Sequence, residues 1–172
     1  MKIIEALKKI KDLQRKASDI KSKVQTYCAD LDVETPTYPD QRSQVSQWVQ
    51  AYGDIVKEIL NLRYNIQRTN VSTMVTIELG NKQVSKSITE WIYRRKDLAK
   101  MDEDVWRALS DKGLKETQSY QLTTNAPTTM VKRRLYFDPV ERDNKVELYR
   151  SEGSMIDSTL EIINAVTDLK EN

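Results

Sequence analysis

Apolar residues recur every seven positions along residues 3 to 31, in two offset series. The first series is Ile3, Ile10, Ala17, Val24 and Leu31, and the second is Ala6, Leu13, Ile20 and Tyr27. Such a repeat is typical of a helix whose apolar seam packs against another helix. The pattern therefore predicts a helix over residues 2–29 that needs a partner helix to cover its seam.

A second heptad stripe predicts a helix over residues 41–69. Its members step by threes and fours: Val45, Trp48, Tyr52, Ile55, Ile59, Leu62 and Ile66. Val49 and Val56 widen this stripe on one side, so the helix should face more than one neighbour. Asp40 follows Pro39 and is the predicted N-cap.

The apolar period changes to two after residue 70. Alternating apolar and polar residues around Gly80-Asn81 predict a β-hairpin with strands at 74–79 and 82–85. The run VKRRLYF at 131–137 alternates in the same way and predicts a third strand. The expected sheet is therefore a hairpin or a small three-stranded sheet.

Two further helices are predicted, over residues 87–111 and 139–169. The first carries the stripe Ile88, Trp91, Leu98, Met101, Val105 and Leu109; the second carries Val146, Tyr149, Ile156, Leu160, Ile163 and Val166. Asp138-Pro139 is a good start for the last helix. Gly153 falls on its stripe, and residues 151–154 could interrupt it, but a continuous helix is the favoured interpretation.

These elements predict a mainly α protein with a single domain over residues 1–172. The expected architecture is an elongated antiparallel four-helix bundle or coiled coil with the small sheet at one end. The composition, with only four glycines and four prolines, suits long helices better than a sheet sandwich. The threonine-rich stretch 114–130 is long for a loop, and the sequence leaves open whether it is functional or merely mobile.

The residue types argue against several kinds of chemistry. The chain contains no histidine, which is the commonest proton shuttle and metal ligand, and its one cysteine, Cys28, excludes an internal disulfide. Asp102, Glu103 and Asp104 are consecutive, so they point around a helix and are predicted to form a solvated face. No glycine-rich phosphate loop is present. We therefore predict no catalytic residue, no cofactor and no metal site.

Charge is unevenly distributed between the two ends of the chain. Residues 1–29 carry eight basic and three acidic residues, whereas residues 141–172 carry four basic and eight acidic residues. The favoured interpretation is that the first and last helices are complementary neighbours. The alternative is a basic face on the first helix that binds nucleic acid or an acidic protein, although the net charge of +2 argues against nucleic acid. No apolar run is long enough to cross a bilayer, which predicts a cytoplasmic protein and no membrane partner.

Two short stretches resemble a family of small bacterial and phage-associated helical proteins, sometimes labelled septicolysin-like. The first is NIQRTN at residues 65–70, and the second is IDSTLEIINAVTDL at residues 156–169. The resemblance implies two helices, a glycine-turn hairpin and two more helices, with no established catalytic activity. It assigns structural roles to Arg68, Thr69, Asn70, Asp157 and Asn164. Ala165 departs from the pattern, because the family commonly has tryptophan there.

The sequence thus predicts a non-enzymatic structural or scaffolding protein that forms a homo-oligomer through helix packing. A virion or assembly component is one such protein, either in the cytoplasm or within a phage particle assembled there, and its partners would be other copies and other structural proteins. The predicted self-association seam is Ile3, Leu7, Ile10, Leu13, Ile20, Val24, Val45, Trp48, Tyr52, Ile55, Ile59 and Leu62. The alternative function is an adaptor that uses the basic face of the first helix.

Overall fold

A computed structural model describes residues 1–113 and 134–170 of the chain. These residues are mainly helical and include a two-stranded antiparallel sheet, which confirms the predicted fold class at that level. They form two compact units. The first unit contains residues 1–75, 86–89 and 158–170, and the second contains residues 76–85, 90–113 and 134–157.

The first unit contains two long helices, α1 (Ile3–Tyr27) and α2 (Gln41–Ser72). Both begin and end within a few residues of the predicted bounds. The Asp40 side chain accepts a hydrogen bond from the Ser43 N–H at 3.0 Å, so the predicted N-cap of α2 is confirmed. One of the N-terminal backbone N–H groups of α2, that of Ser43, therefore has a partner.

Helix α2 covers the heptad seam of α1. The buried residues of α1 are the seam residues Ile3, Ala6, Ile10, Leu13 and Ala17. The helices run antiparallel, since Lys9 near the start of α1 pairs with Glu58 in α2 at 2.6 Å. Leu31 is 63% exposed because α1 ends at Tyr27 and the last heptad position lies in the connection.

Three aromatic rings pack together where α1 and α2 are joined. Tyr27, Tyr38 and Trp48 have ring centroids 5.4–5.7 Å apart, in edge or tilted arrangements. Gln41 Nε2 also donates to the Tyr27 carbonyl at 2.8 Å. These contacts tie the connection to both helices. Cys28 lies beside them and is an exposed free thiol.

The predicted hairpin is confirmed, with strands β1 (Met74–Leu79) and β2 (Lys82–Ser87). Its turn places Gly80 at φ +54° and Asn81 at φ +64°. Two positive φ values in succession are characteristic of a type I′ turn, whose twist matches that of paired strands. Gly80-Asn81 is a favourable dipeptide for this geometry, which is why the turn could be located from the sequence.

The predicted third strand is wrong for the part that the structure describes. Residues 134–137 adopt no strand conformation, and residues 131–133 lie outside the described residues. Leu135 and Phe137 instead line a groove with Ala108 and Leu109. Within residues 134–137, Leu135 and Phe137 therefore lie beside a helix end instead of pairing in the sheet.

The third predicted helix consists of three segments instead of one regular helix. Helix α3 (Ile88–Tyr93) continues into a π-helical segment (Arg94–Leu98), which leads into α4 (Ala99–Ala108). A short 3₁₀ turn (Asp111–Gly113) follows. The predicted helix over 87–111 therefore ends early and changes its hydrogen-bonding pattern in the middle.

The π-helical segment displaces the apolar face of the helix that follows it. Hydrogen bonds of the π type span five residues instead of four, so the segment adds one residue to a helical turn. Each residue after the segment therefore occupies the angular position that the preceding residue would have in a regular α-helix. Leu98, Met101 and Val105, which belong to the predicted stripe, are 41%, 64% and 60% exposed. Ala99 and Glu103 are the buried residues of α4.

Helix α5 (Pro139–Val166) is continuous through residues 151–154, as the favoured interpretation predicted. Asp138 caps it, because its Oδ1 accepts from the Val140 N–H at 2.9 Å. The helix ends at Val166, three residues before the predicted bound, and the chain then pairs with residues near its start. The Ile3 N–H donates to the Thr167 carbonyl at 3.1 Å, and Lys2 pairs with Asp168 at 2.8 Å. This pair lowers the pKa of Asp168.

Substitution of Gly153 by alanine is expected to stabilise the protein by about 0.5–1 kcal/mol, because glycine is entropically unfavourable within a helix. Apart from its chain neighbours and the backbone of its own helix, a Cβ at this position would meet no atom within 4 Å. Thermal unfolding followed by circular dichroism measures the change. Gly80→Ala is the contrasting control: it should destabilise, because φ is +54° there and the new Cβ would lie 3.0 Å from the Leu148 side chain. A destabilised Gly153→Ala variant would contradict this prediction.

Candidate self-association surface

The twelve residues of the predicted seam do not share one environment. Buried members are Ile3, Ile10, Leu13 and Leu62; partly buried members are Ile20, Val24, Val45, Trp48, Ile55 and Ile59; Leu7 and Tyr52 are exposed. The buried members are covered within the chain. The apolar surface that is available to another molecule therefore includes the seam residues Leu7 and Tyr52 but not the buried members.

Helix α2 presents a second apolar stripe to solvent. It comprises Val49, Tyr52, Val56, Leu60 and Tyr64, which are 57%, 39%, 46%, 68% and 57% exposed. Steps of three and four residues keep these side chains on one face of the helix. The stripe runs for roughly 22 Å at 1.5 Å per residue. We call these five residues the α2 stripe.

Two grooves lie along the α2 stripe. One, of about 300 Å³, is lined by Lys21, Val24, Gln25, Val49 and Tyr52. The other, of about 340 Å³, is lined by Lys57, Leu60, Asn61 and Tyr64. Apolar side chains and the aliphatic part of one lysine form most of each groove. Concave apolar surface of this kind accepts the protruding side chains of a second helix.

Lys57 borders the α2 stripe, and its polar neighbours Gln50 and Asp54 lie farther round the helix. Gln50 Nε2 donates to Asp54 Oδ1 at 3.0 Å, and Lys57 Nζ lies 3.7 Å from the same oxygen. The Asp54 and Lys57 side chains are 59% and 78% exposed. Ion pairs this exposed contribute only about 0–1 kcal/mol, so these two groups can exchange partners at little cost.

The basic face of α1, which carries the alternative adaptor function, contains acidic residues as well. Lys8, Lys16 and Lys23 are exposed. Arg15, however, lies 3.6 Å from Asp12, and Lys9 is paired with Glu58. Mixed charge of this kind weakens the attraction of the face for an anionic partner. Binding through this face stays a prediction.

Thr69, from the NIQRTN motif, joins the end of α2 to the C-terminal segment. Its side chain is fully buried, and its Oγ1 donates to the Asn65 carbonyl at 2.8 Å and accepts from the Lys170 N–H at 2.9 Å. Asn65 and Asn70 are also buried. These contacts are those of a structural joint within the first unit. Of the other motif residues, Arg68 and Asn164 are partly buried, and Asp157 pairs with Arg95.

A buried ion pair lies in the second unit, and sequence reasoning missed it. The Arg94 guanidinium donates to both carboxylate oxygens of Glu152, at 2.8 and 2.7 Å, and also to Asp102. Glu152 is only 2% exposed. The hydrogen bonds from Arg94 to Glu152 are the main reason that the pKa of Arg94 is raised. Because the two residues are 58 positions apart, no local pattern indicated the pair.

The prediction of a solvated acidic face at residues 102–104 is wrong for Glu103. This side chain is 5% exposed and accepts a hydrogen bond from Arg107 at 2.6 Å and one from Lys100 at 3.3 Å. Burial raises the pKa of Glu103, but these two hydrogen bonds outweigh that effect and lower it overall. The spacings of three and four residues to Lys100 and Arg107 were a signal that could have identified the cluster.

The part of the chain that the structure describes contains no group of three or more His, Cys, Asp or Glu side chains placed to hold a metal ion. Within the same residues, no helix combines the length and the apolar character that crossing a bilayer requires.

Comparison with known proteins gives the fold and no function. No family model matches the chain, and no curated protein matches it. A crystal structure of a functionally unknown conserved protein from Corynebacterium diphtheriae is similar to it, with a TM-score of 0.56 and 18% sequence identity over 99% of each chain. At that identity the likeness concerns the fold alone. Membership of the septicolysin-like family stays a prediction.

Proposed function

We propose that this protein is a non-enzymatic structural or scaffolding protein that self-assembles through packing of its helices. The observation that carries the proposal is the α2 stripe. Isolated exposed apolar residues are ordinary on a protein surface, but a continuous stripe beside apolar grooves is typical of an interaction surface. Such a protein serves as a component of a larger assembly, in the cytoplasm or in a phage particle, with other structural proteins as further partners.

The energetic reason is that association would remove the stripe from water. Each Å² of apolar surface that becomes buried contributes about 25 cal/mol. Val49, Leu60 and Tyr64 are more than half exposed in the single chain, so they gain most from a partner helix. In this proposal a four-helix bundle forms between two copies of the chain, because each copy supplies the two helices α1 and α2.

Leu60→Glu tests the proposal. The side chain is 68% exposed, so the substitution should leave the folded chain intact while placing a charge in the proposed interface. Size-exclusion chromatography with light scattering should show a defined multimer for the wild type and a monomer for Leu60→Glu. Met101→Glu is the matched control, because Met101 is 64% exposed but belongs to α4, and it should behave as the wild type.

Circular dichroism verifies that each variant keeps its helical content. A wild-type protein that stays monomeric at every concentration would contradict the proposal. The same conclusion would follow if Met101→Glu dissociated the multimer while Leu60→Glu did not.

A further inference from the structure

Three buried or partly buried residues of α4 are each preceded in the sequence by a residue of the same chemical kind. The three pairs are Leu98-Ala99, Asp102-Glu103 and Val105-Trp106. Ala99 and Glu103 are buried and Trp106 is partly buried. Leu98 and Val105, by contrast, are 41% and 60% exposed. A shift of α4 by one residue would therefore exchange the two sets and keep an apolar, an acidic and an apolar side chain at the same three places.

The π-helical segment contains the extra residue that such a shift requires. A π turn holds one residue more than an α turn, and the segment can become regular α-helix if α4 turns by about 100° and advances by about 1.5 Å. We call this second arrangement the shifted register. In it Leu98 takes the place of Ala99, and Asp102 takes the place of Glu103. π-helical turns are rare and frequently lie at functional sites.

Arg94 holds α4 in the observed register. It is the first residue of the π-helical segment and donates to Asp102, eight positions later. In a regular α-helix, residues seven positions apart lie on one face, so Met101 would lie two turns along that face from Arg94. The extra residue of the π turn places Asp102 there instead. The Arg94–Asp102 ion pair therefore depends on the π turn, whereas the Arg94–Glu152 pair does not.

We propose that α4 is a two-register switch, in which the π-helical segment converts to regular α-helix and α4 moves to the shifted register. The exchange is nearly balanced, because Leu98 is larger than the Ala99 that it replaces, while Val105 is smaller than Trp106. The carboxylate that lies 3.8 Å from Arg150, now that of Glu103, is replaced by that of Asp102. The balance between the registers is therefore set mainly by the Arg94–Asp102 pair.

The switch changes the surface that α4 presents to solvent. The observed register exposes Leu98 and Val105, and the shifted register withdraws them. Trp106 moves in the opposite sense and leaves the Lys145 ammonium, which lies 5.8 Å from the centre of its ring. Because the Asp102 side chain is 44% exposed, salt screens its pair with Arg94. Ionic strength is therefore a signal that selects between the two surfaces.

Thiol labelling at single positions tests the switch. In a Cys28→Ser parent, Ala99→Cys places a thiol at a buried site and Val105→Cys places one at an exposed site. Asp102→Leu removes one partner of Arg94 and supplies an apolar side chain for the place of Glu103, so it favours the shifted register. With an uncharged maleimide, we expect Asp102→Leu to accelerate labelling at position 99 roughly tenfold and to slow it roughly threefold at position 105.

Glu103→Leu is the matched control. It removes the same charge from the neighbouring residue, but it places leucine where the observed register is buried, so both thiols should react as in the parent. Faster labelling at both positions in Asp102→Leu would indicate unfolding of α4 and would overturn the switch. Unchanged rates at both positions would overturn it as well, and so would the same reversal in Glu103→Leu. Circular dichroism verifies that each variant keeps its helices.

Deletion of Lys96 provides an independent test. Lys96 is an exposed member of the π-helical segment, and its loss turns the segment into a regular α turn while α4 keeps its observed orientation. In the parent, raising the salt concentration from about 0.01 M to about 1 M should accelerate labelling at position 99 roughly threefold. The deletion variant should show no such dependence. A parent rate that is independent of salt, or a deletion variant that responds as the parent does, would overturn the proposal.

Discussion

Replacement of Arg94 by leucine is expected to destabilise the second unit by about 3–5 kcal/mol. The substitution leaves Glu152, which is 2% exposed, without its bidentate cationic partner. A carboxylate in that position must either stay charged in a poorly solvated environment or take up a proton, and both reduce the free energy of unfolding. Arg94 also contacts the Tyr149 ring at 5.8 Å, and that contact is lost too.

Urea unfolding followed by tryptophan fluorescence measures this effect. Trp91 and Trp106 lie in the second unit and Trp48 in the first, so a Trp48→Phe background makes the signal report the second unit. Arg95→Leu is the matched control, because its partner Asp157 is 60% exposed and such pairs contribute only about 0–1 kcal/mol.

The double variant Arg94→Leu/Glu152→Leu separates the loss of a partner from the loss of the pair. We expect it to be more stable than Arg94→Leu alone, since no uncompensated charge stays buried. Equal losses for Arg94→Leu and Arg95→Leu would contradict the assignment of Arg94–Glu152 as a buried structural pair.

Thr69→Val is expected to destabilise the first unit by about 1–3 kcal/mol. Valine has a similar shape but lacks the hydroxyl, so the Lys170 N–H loses its acceptor and the Asn65 carbonyl loses one donor. The site is fully buried, so within the folded chain water does not easily replace either partner. The loss should also release the C-terminal segment from the end of α2.

Fluorescence of Trp48, in a variant with phenylalanine at residues 91 and 106, follows unfolding of the first unit. Thr69→Ser is the control, because it keeps the hydroxyl and removes only one methyl group. We expect it to be clearly more stable than Thr69→Val. Hydrogen exchange at the Lys170 amide should accelerate in Thr69→Val and change little in Thr69→Ser. Equal stability of the two variants would show that the hydroxyl has no structural role.

The boundaries of α1, α2, α5 and the hairpin followed from local patterns. Heptad repeats located the helices, Asp40 and Asp138 located two of their starts, and Gly80-Asn81 located the turn. These features depend on residues that are close in sequence, so backbone propensity and side-chain periodicity are enough to specify them.

The candidate interface could be predicted only in part. Val49 and Val56 were recognised as widening the apolar face of α2, which indicated a second neighbour. The sequence did not show which face α1 would cover, so Ile10 and Leu13 were placed in a self-association seam although they are buried within the chain. Leu60 and Tyr64 were not recognised at all. A heptad repeat shows that a helix has an apolar face that must be buried against a partner. It does not show whether that partner belongs to the same chain or to another copy.

The sequence by itself determined where this protein forms helices, where its hairpin turns and that α1 needs a partner. Only the tertiary structure decided that α2 is that partner and that Arg94 pairs with Glu152. It also decided that, after the π-helical segment, α4 buries Ala99 and Glu103 instead of Met101 and Val105. The physical reason is distance along the chain. Local patterns fix the conformation of a segment, whereas the choice among competing apolar faces and charged partners depends on contacts between residues that the sequence separates widely.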